Sequence, residues 1–433
     1  MTRKSRYVPA NSRAFNRLIK WSYGAWLTWA YGLESRNGAF IKALKPPYIV
    51  VANHVSTRDP FILGILLPEP VYWITSDGNM RTRFMRFFLR RMGSIPKSKA
   101  IPDIETVRLI VEVIRKKKGV VGIFPEGQQS WDGHSLPLMS GTAKLLKLLK
   151  VPVVAALIEG GYLSLPRWAW IHRRGKVRVE WKLLLRPEEL ESLPLTTIEE
   201  RLKEGLEHDE YEFQARAKLP FYGPRRAEHL ELGLFMCPVC ESVARMRSSG
   251  ERLHCTACGS TWRLDRYGYL HALDEARSAR RRRASGSRPE PERRFSTIRD
   301  WDLWQGGAFA ALVAKAEEDR PFLSDSGALL FRGRRMNPLQ RIRSGTLVLY
   351  PDRLELATLL GERLSFPIAS IAGAGVLKRN TLEFYSSRDL YQVRFPLRSI
   401  SARKWATAME YFQRSGAHRE EGEKDNAGPQ NEV

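Results

Sequence analysis

The sequence has little cysteine, few acids for its bases and no long apolar run, and each shortage excludes something. Only four cysteines occur in 433 residues, all between positions 237 and 258. Thiols gathered that tightly point to one local site, not to the dispersed disulfide framework of a small secreted protein. No stretch reaches the roughly 20 apolar residues that a membrane-spanning helix needs. The nearest candidate, residues 15–33, is interrupted by Lys20, Ser22, Gly24, Thr28 and Gly32. Its basic approach (Arg3, Lys4, Arg6) leads to no clean apolar run with a small-residue cleavage site, so neither a signal peptide nor a transmembrane helix is expected. Carboxylates are scarce, 47 Asp and Glu against 71 Lys and Arg, a formal charge of +24. Such an excess favours polyanions, either nucleic acid or an anionic bilayer.

What is present is aromatic beside basic. Lys20 adjoins the ring-rich stretch 21–31, and residues 81–91 interleave arginines with Phe84, Phe87 and Phe88. Rings and cations together suit a lipid headgroup layer, and they also serve single-stranded nucleic acid. Residues 1–36 are read as an aromatic and basic helix lying at a membrane interface, the alternative being a helix packed on the core. Residues 37–218 alternate buried strands (48–52, 120–124, 151–157, 176–181) with helical segments such as 106–117, where Val107, Ile110, Val111 and Ile114 recur at helical spacing. That alternation predicts a multidomain chain whose α/β core has a mostly parallel sheet, with active-site loops at the strand ends. A cysteine module covers 232–273, and residues 276–294, rich in Arg, Ser, Pro and Glu, are expected to be a disordered basic linker. Residues 295–415 carry the strand rhythm of a C-terminal antiparallel β sandwich or barrel (346–350, 353–356, 382–385, 391–395), closed by an amphipathic helix over 401–412. Residues 416–433 are expected to be a disordered tail.

Three short segments carry chemistry. Directly after the strand at 48–52 comes Asn53-His54-Val55-Ser56-Thr57-Arg58-Asp59. A histidine in a strand-end loop can take a proton from an alcohol near neutral pH, and a carboxylate five residues on can fold back to hold its Nδ1 proton. This is the base-and-orienter part of a triad without a side-chain nucleophile, so the attacking group would belong to the substrate. A solvated loop leading into a helix with Pro60 at its first position is the plainer reading of the same residues. After the strand at 120–124 come Phe124, Pro125, Glu126 and Gly127, a turn that would present Glu126 at the same end of the sheet, where it could meet hydroxyls of a polar acceptor. The third segment holds Gly93, Ile95, Lys97 and Lys99, whose ammonium groups can neutralise a phosphate.

In this order the segments resemble the glycerolipid acyltransferase family, of the 1-acylglycerol-3-phosphate type. Its first block is the N-H-x4-D of Asn53 to Asp59, its second the G-x-I with a following basic residue at Gly93, Ile95 and Lys99, its third F-P-E-G at Phe124 to Gly127. An apolar V-P-V run matches at Val151, Pro152 and Val153. The likeness covers about half the chain. It implies an acyltransferase in phospholipid biosynthesis or remodelling, with His54 and Asp59 catalytic. Asn53, Gly93, Lys97, Lys99, Phe124, Pro125, Glu126 and Gly127 would lie about the substrate. It further implies an acyl-CoA or acyl-ACP donor, a lysophospholipid acceptor, and oxyanion donors among backbone N–H groups near Gly93 or Gly127. Two positions depart from the pattern: Gln129 and Lys99 stand where the family usually has Arg, which weakens bidentate grip on a phosphate and leaves other lyso-lipids open.

The cysteines form two C-x2-C pairs, Cys237 with Cys240 and Cys255 with Cys258, a closed four-thiolate set suited to structural zinc that resembles a zinc ribbon. The C-terminal strands and helix are similar to pleckstrin-homology or GRAM-type domains. Together the readings predict a peripheral protein of the cytoplasmic membrane face, its partners an anionic membrane, the acceptor and the donor, and not nucleic acid. The alternative is an inactive adaptor that binds membrane or nucleic acid through the ribbon and basic surface.

Overall fold

The structure, a computed structural model, describes residues 7, 9–98, 104–273 and 295–426, with side chains to residue 415. Lys99 and the whole 276–294 linker lie outside the described residues. The chain divides into two units: residues 1–226 with Asp265–Tyr269, and Ala227–Leu264 with Leu270–Val433.

In the first unit seven strands form one sheet: β1 (Glu34–Arg36), β2 (Tyr48–Ala52), β3 (Val71–Ser76), β4 (Ile95–Lys97), β5 (Val120–Ile123), β6 (Val153–Glu159) and β7 (Arg178–Leu185). Their spatial order is β1-β7-β6-β2-β5-β3-β4. β2 to β6 run parallel as expected. The strand anticipated at 176–181 departs: as β7 it pairs antiparallel with β6. β1 and β4 carried too few apolar residues to be legible as strands, and β3, though β-branched and aromatic in composition, was not read as one. Every residue of β2 and β5 is buried, as sheets covered on both faces require. On one face Ile49, Val51, Val121, Ile123, Val153 and Ala155 pack against Leu109, Ile110 and Val113 of the helix Ile104–Arg115 and against Leu146, Ile198 and Leu202 of neighbouring helices.

Residues 15–33 are helical but not as one regular helix. Arg13–Ile19 and Ala25–Tyr31 are α-helical, with a π-helical stretch at Lys20–Gly24 between them, and Gly32 (φ +48°) ends the run in a left-handed cap. No described helix is long and apolar enough to cross a membrane.

The second unit opens with four antiparallel strands, β8 (Met246–Ser249), β9 (Arg252–Cys255), β10 (Thr261–Leu264) and β11 (Leu270–Ala272). A helix absent from the sequence reading, Ile298–Ala314, follows. Its Trp301 donates from Nε1 to the Met236 carbonyl (3.0 Å), and Gln305 accepts from the N–H groups of Phe235 (2.7 Å) and Met236 (2.9 Å). The remaining strands, β12 (Leu323–Gly333), β13 (Gln340–Leu349), β14 (Arg353–Ala357), β15 (Arg363–Pro367), β16 (Ile371–Leu377), β17 (Thr381–Ser386) and β18 (Asp389–Arg394), make one seven-stranded antiparallel sheet. The closing helix is Ala402–Asn426, longer than the 401–412 expected, with Trp405, Ala408 and Met409 buried.

Candidate active site and cysteine cluster

β2 and β5 are parallel neighbours in register, Tyr48 beside Val120 and Val51 beside Ile123, so both chains leave the sheet at the same edge. This topology brings residues 53–59 and 124–129 together although they are some seventy positions apart. Asn53 fastens the first loop to β6: its side chain donates to the Ile158 carbonyl (3.0 Å) and accepts from the Ile158 N–H (2.8 Å). That amide, expected near the substrate, is spent on the sheet.

His54 follows. Its Nδ1 lies 2.8 Å from Asp59 Oδ2, and the same oxygen accepts the N–H groups of Val55 (2.8 Å) and Ser56 (2.8 Å). Asp59 begins the helix Asp59–Leu66 with Pro60 in its first turn, so its carboxylate reaches back over the loop. The Asp59 side chain is fully buried while that of His54 is 18% exposed: the orienting group is inside and the imidazole looks outward. A carboxylate on Nδ1 fixes the tautomer with its proton there and leaves Nε2 as the acceptor. The ring is also clamped by stacking, on Phe124 at 4.3 Å and 25°, with Phe124 in turn on Trp73 at 5.1 Å and 19°. Gly122 makes that possible, because a Cβ there would lie 2.2 Å from the Trp73 ring.

Glu126 is buried, and both of its oxygens accept backbone N–H groups, Oε1 from His54 (2.9 Å) and Oε2 from Leu136 (2.9 Å). Burial raises its pKa to about 7; the two N–H bonds, which favour the charged form, only partly oppose this. The carboxylate thus ties the F-P-E-G turn to the His54 backbone. Pro125 is buried with its carbonyl accepting from Met139 N–H (2.9 Å), and Gly127, at φ +70°, is the exposed corner of the turn. The N–H of Gly127 is taken by the Phe124 carbonyl (3.1 Å) and that of Gly93 by the Arg90 carbonyl (3.1 Å). The N–H groups of the two glycines themselves are therefore occupied. Lys97 ends β4, which pairs with β3 at the same edge of the sheet, and its Nζ lies 3.3 Å from Met139 Sδ.

Three participants escaped the sequence reading. Trp73 backs the ring stack. Arg58 donates to Tyr31 Oη (2.7 Å) and lies 5.0 Å over Trp26, tying the loop to the N-terminal helix. Arg167, almost wholly buried, donates to the Gln129 carbonyl (2.7 Å) and sits 4.3 Å over Trp131, so a guanidinium does reach the turn that lacks its own. None is signalled by spacing: Trp73 and Arg167 come from segments distant in sequence, and Arg58, though it adjoins Asp59, meets partners in residues 26–31. A small, mostly apolar groove lined by Tyr23, Leu27, Pro60, Phe61, Ile65 and Trp73 among others begins one residue beyond Asp59.

In the second unit the four thiols converge, all Sγ atoms lying within 4.8 Å of one another. The Cys237–Cys258 and Cys240–Cys255 sulfurs are both 3.7 Å apart, far beyond a disulfide bond. Zinc–sulfur bonds of about 2.3 Å in a tetrahedron place sulfurs roughly 3.8 Å apart, so the set fits that ion. The two halves repeat each other as C-x2-C-x-S: Cys237 N–H donates to the Ser242 carbonyl (3.1 Å) as Cys255 N–H does to Ser260 (2.9 Å). Each serine hydroxyl also meets the second thiol of its pair, Ser242 with Cys240 at 3.1 Å and Ser260 with Cys258 at 3.3 Å. Burial would raise the Cys255 thiol, but bonds from Ser242 and from the N–H groups of Cys258 and Ala257 outweigh it and lower its pKa to about 7. Cys237 is pushed up by burial.

A family model described as Acyltransferase matches residues 32–159, a span that holds His54, Asp59, Gly93, Lys97 and Glu126 and excludes the cysteines. The chain is similar to the 1-acyl-sn-glycerol-3-phosphate acyltransferase of Saccharomyces cerevisiae, 30% identical over 162 residues (36% of this chain, 52% of that protein). It is similar also to that of Limnanthes douglasii, 28% identical over 165 residues (36% and 53%). Among solved structures it matches the 1-acyl-sn-glycerophosphate (LPA) acyltransferase PlsC of Thermotoga maritima, at 22% identity over 47% of this chain and 80% of that one, with a TM-score of 0.39. The chain spans about half the length of the curated relatives it matches.

Proposed function

We propose that this protein transfers a fatty acyl group from a thioester, acyl-CoA or acyl-ACP, to the hydroxyl of a lysophospholipid such as 1-acylglycerol-3-phosphate. The observation that carries the reading is the buried Asp59 carboxylate 2.8 Å from His54 Nδ1, with the imidazole partly exposed at the sheet edge. His54 Nε2 takes the proton of the acceptor hydroxyl as its oxygen attacks the thioester carbonyl. The tetrahedral intermediate expels the thiolate, which receives that proton, so an ester C–O bond replaces the C–S bond and the base is regenerated. Asp59 stabilises the transient imidazolium and holds the ring, as do Phe124 and Trp73 from its face. Glu126 acts on the backbone: it positions the His54 loop rather than reaching the acceptor. Lys97 supplies charge for an acceptor phosphate.

The matched family span and the named relatives support this chemistry. An adaptor that had lost activity would have no need of an imidazole held by a carboxylate at Nδ1 and stacked on Phe124, so the enzyme reading is preferred. Residues 1–36 are proposed to associate with the membrane surface. Zinc on Cys237, Cys240, Cys255 and Cys258 would supply a structural cross-link with no open coordination position, and the seven-stranded sheet with its terminal helix is proposed as a PH/GRAM-like recruitment module. The test is acyl transfer to a panel of lyso-lipids from acyl-CoA and acyl-ACP, with His54→Ala beside the wild type. Transfer that survives in His54→Ala rejects the mechanism. Absence of transfer from the wild type to every acceptor rejects the activity.

A further inference from the structure

The helix Arg83–Arg91 (RFMRFFLRR) buries none of its residues. Phe84 is 72% exposed and Phe87 55%. From Asp77 to Asp103 the chain contains Arg81, Arg83, Arg86, Arg90, Arg91, Lys97 and Lys99 and no other acid. Single exposed rings are ordinary on a protein surface, but two one turn apart on a purely cationic helix are not. Completion of the helix dipole accounts for Arg90 and Arg91 in the last turn and leaves the phenylalanines unexplained. The helix is held from behind. Phe88 meets Phe15 edge-on at 5.6 Å and Phe61 at 6.4 Å, Thr82 caps the start by accepting from Met85 N–H, and the carbonyls of Arg90 and Arg91 accept from Ala10 and Ser12. Its outward face is thus presented on a fixed support. The same supports lead to the site: Phe61 lines the apolar groove and lies two residues from Asp59. Leu18 (56% exposed) and Trp21 (79%) follow Phe15 at three-residue steps, on a segment with no acid before Glu34.

We propose that the Arg83–Arg91 helix docks on an anionic lipid bilayer. Phe84 and Phe87 enter the boundary between headgroups and acyl chains, and the flanking guanidinium groups meet lipid phosphates. The proposal deepens the acyl-transfer reading, naming the surface from which that site would draw a lipid acceptor. Charge selects the partner: a cationic helix with projecting rings complements an anionic interface, whereas a protein partner would be expected to cover the rings with apolar surface and match few of the cations.

The test is flotation of the full chain with phosphatidylcholine vesicles, with and without phosphatidylglycerol, for wild type, Phe84→Ser/Phe87→Ser and Arg83→Glu/Arg91→Glu. The wild type is expected to float with anionic vesicles, less so as salt rises. The phenylalanine variant should lose affinity by on the order of tenfold or more, and the charge variant should lose the preference for anionic lipid. All four side chains face solvent, so unchanged melting curves verify the fold. Variants that float like the wild type overturn the proposal, as does a wild type that floats with neither vesicle. A change in oligomeric state with unchanged flotation also overturns it, assigning the face to self-association. Transfer to a short-chain, monodisperse acceptor should be the same in the phenylalanine variant as in the wild type. If that transfer is missing from both while flotation behaves as stated, docking stands and the acyl-transfer reading falls.

Discussion

The His54 loop and the cysteine cluster reach their geometry by different routes. In the cluster four like ligands come from two copies of one short pattern, C-x2-C-x-S, and each copy closes on itself through the same backbone bond, Cys237 to Ser242 and Cys255 to Ser260. Around His54 the groups differ in kind: a carboxylate from the next helix, a ring from the turn after β5, a second ring from β3 and a carboxylate that works through backbone N–H groups. The first arrangement is symmetric and closed, which suits a structural ion. The second is asymmetric and open on one side, which suits a substrate. A buried charge is also handled differently. A cation bound by the four thiols would supply their counter-charge, whereas Asp59 meets the imidazole and the N–H groups of Val55 and Ser56 through Oδ2 alone, its buried Oδ1 having no hydrogen-bond partner.

The largest effect is expected at the proposed zinc site. Removing zinc, or replacing Cys237 and Cys240 by Ser, is expected to unfold the β8–β11 region, at a cost on the order of 10 kcal/mol of binding-linked stability. Metal content should drop with it, and zinc content unchanged in the double variant would reject the assignment. Next comes His54→Ala, expected to lower kcat on the order of 10⁴-fold with the melting temperature nearly kept. Asp59→Asn should lower kcat on the order of 10³-fold, because an amide can leave the imidazole in the wrong tautomer. If kcat is retained while stability falls, Asp59 is a loop staple and no more.

Glu126 sharpens the contrast between acting on substrate and acting on structure. Its pKa is raised from 4.5 to about 7, so between those values the unfolded chain is ionised while the folded one holds a proton. The contribution to stability is full below pH 4.5 and is lost as pH rises through about 7, by up to about 3 kcal/mol. Glu126→Gln is expected to flatten that slope in denaturant titrations across this window; an unaltered slope would contradict the burial account. The smallest effect is expected at Lys97→Ala, a rise of roughly tenfold in KM for phosphate-bearing acceptors with kcat little changed. An equal rise for phosphate-free alcohols would remove Lys97 from phosphate recognition.

Much of the core was legible because β2 and β5 are short, wholly apolar runs bounded by loops, and the helix Ile104–Arg115 keeps its apolar residues at helical spacing. β1, β3 and β4 were not. β1 is polar, β4 is three residues around a proline, and β3 alternates poorly, its place being fixed by its neighbours. The antiparallel turn of β7 was likewise invisible, since a strand's direction follows from the path of the chain and not from its side chains. At the site, the His54–Asp59 proximity was readable because a five-residue interval is local.

By itself the sequence determined what is local: the cysteine pairs with their repeated serines, the histidine and its nearby acid, the surplus of positive charge, and the buried strands that end at both key loops. Tertiary structure alone decided that Asn53 and Glu126 are spent on backbone groups and that Phe124 and Trp73 stack behind the imidazole. The physical reason is that a hydrogen bond or a ring contact between residues tens of positions apart depends on which strands become neighbours. Strand order is set by the packing of the whole sheet, and no short stretch of sequence encodes it.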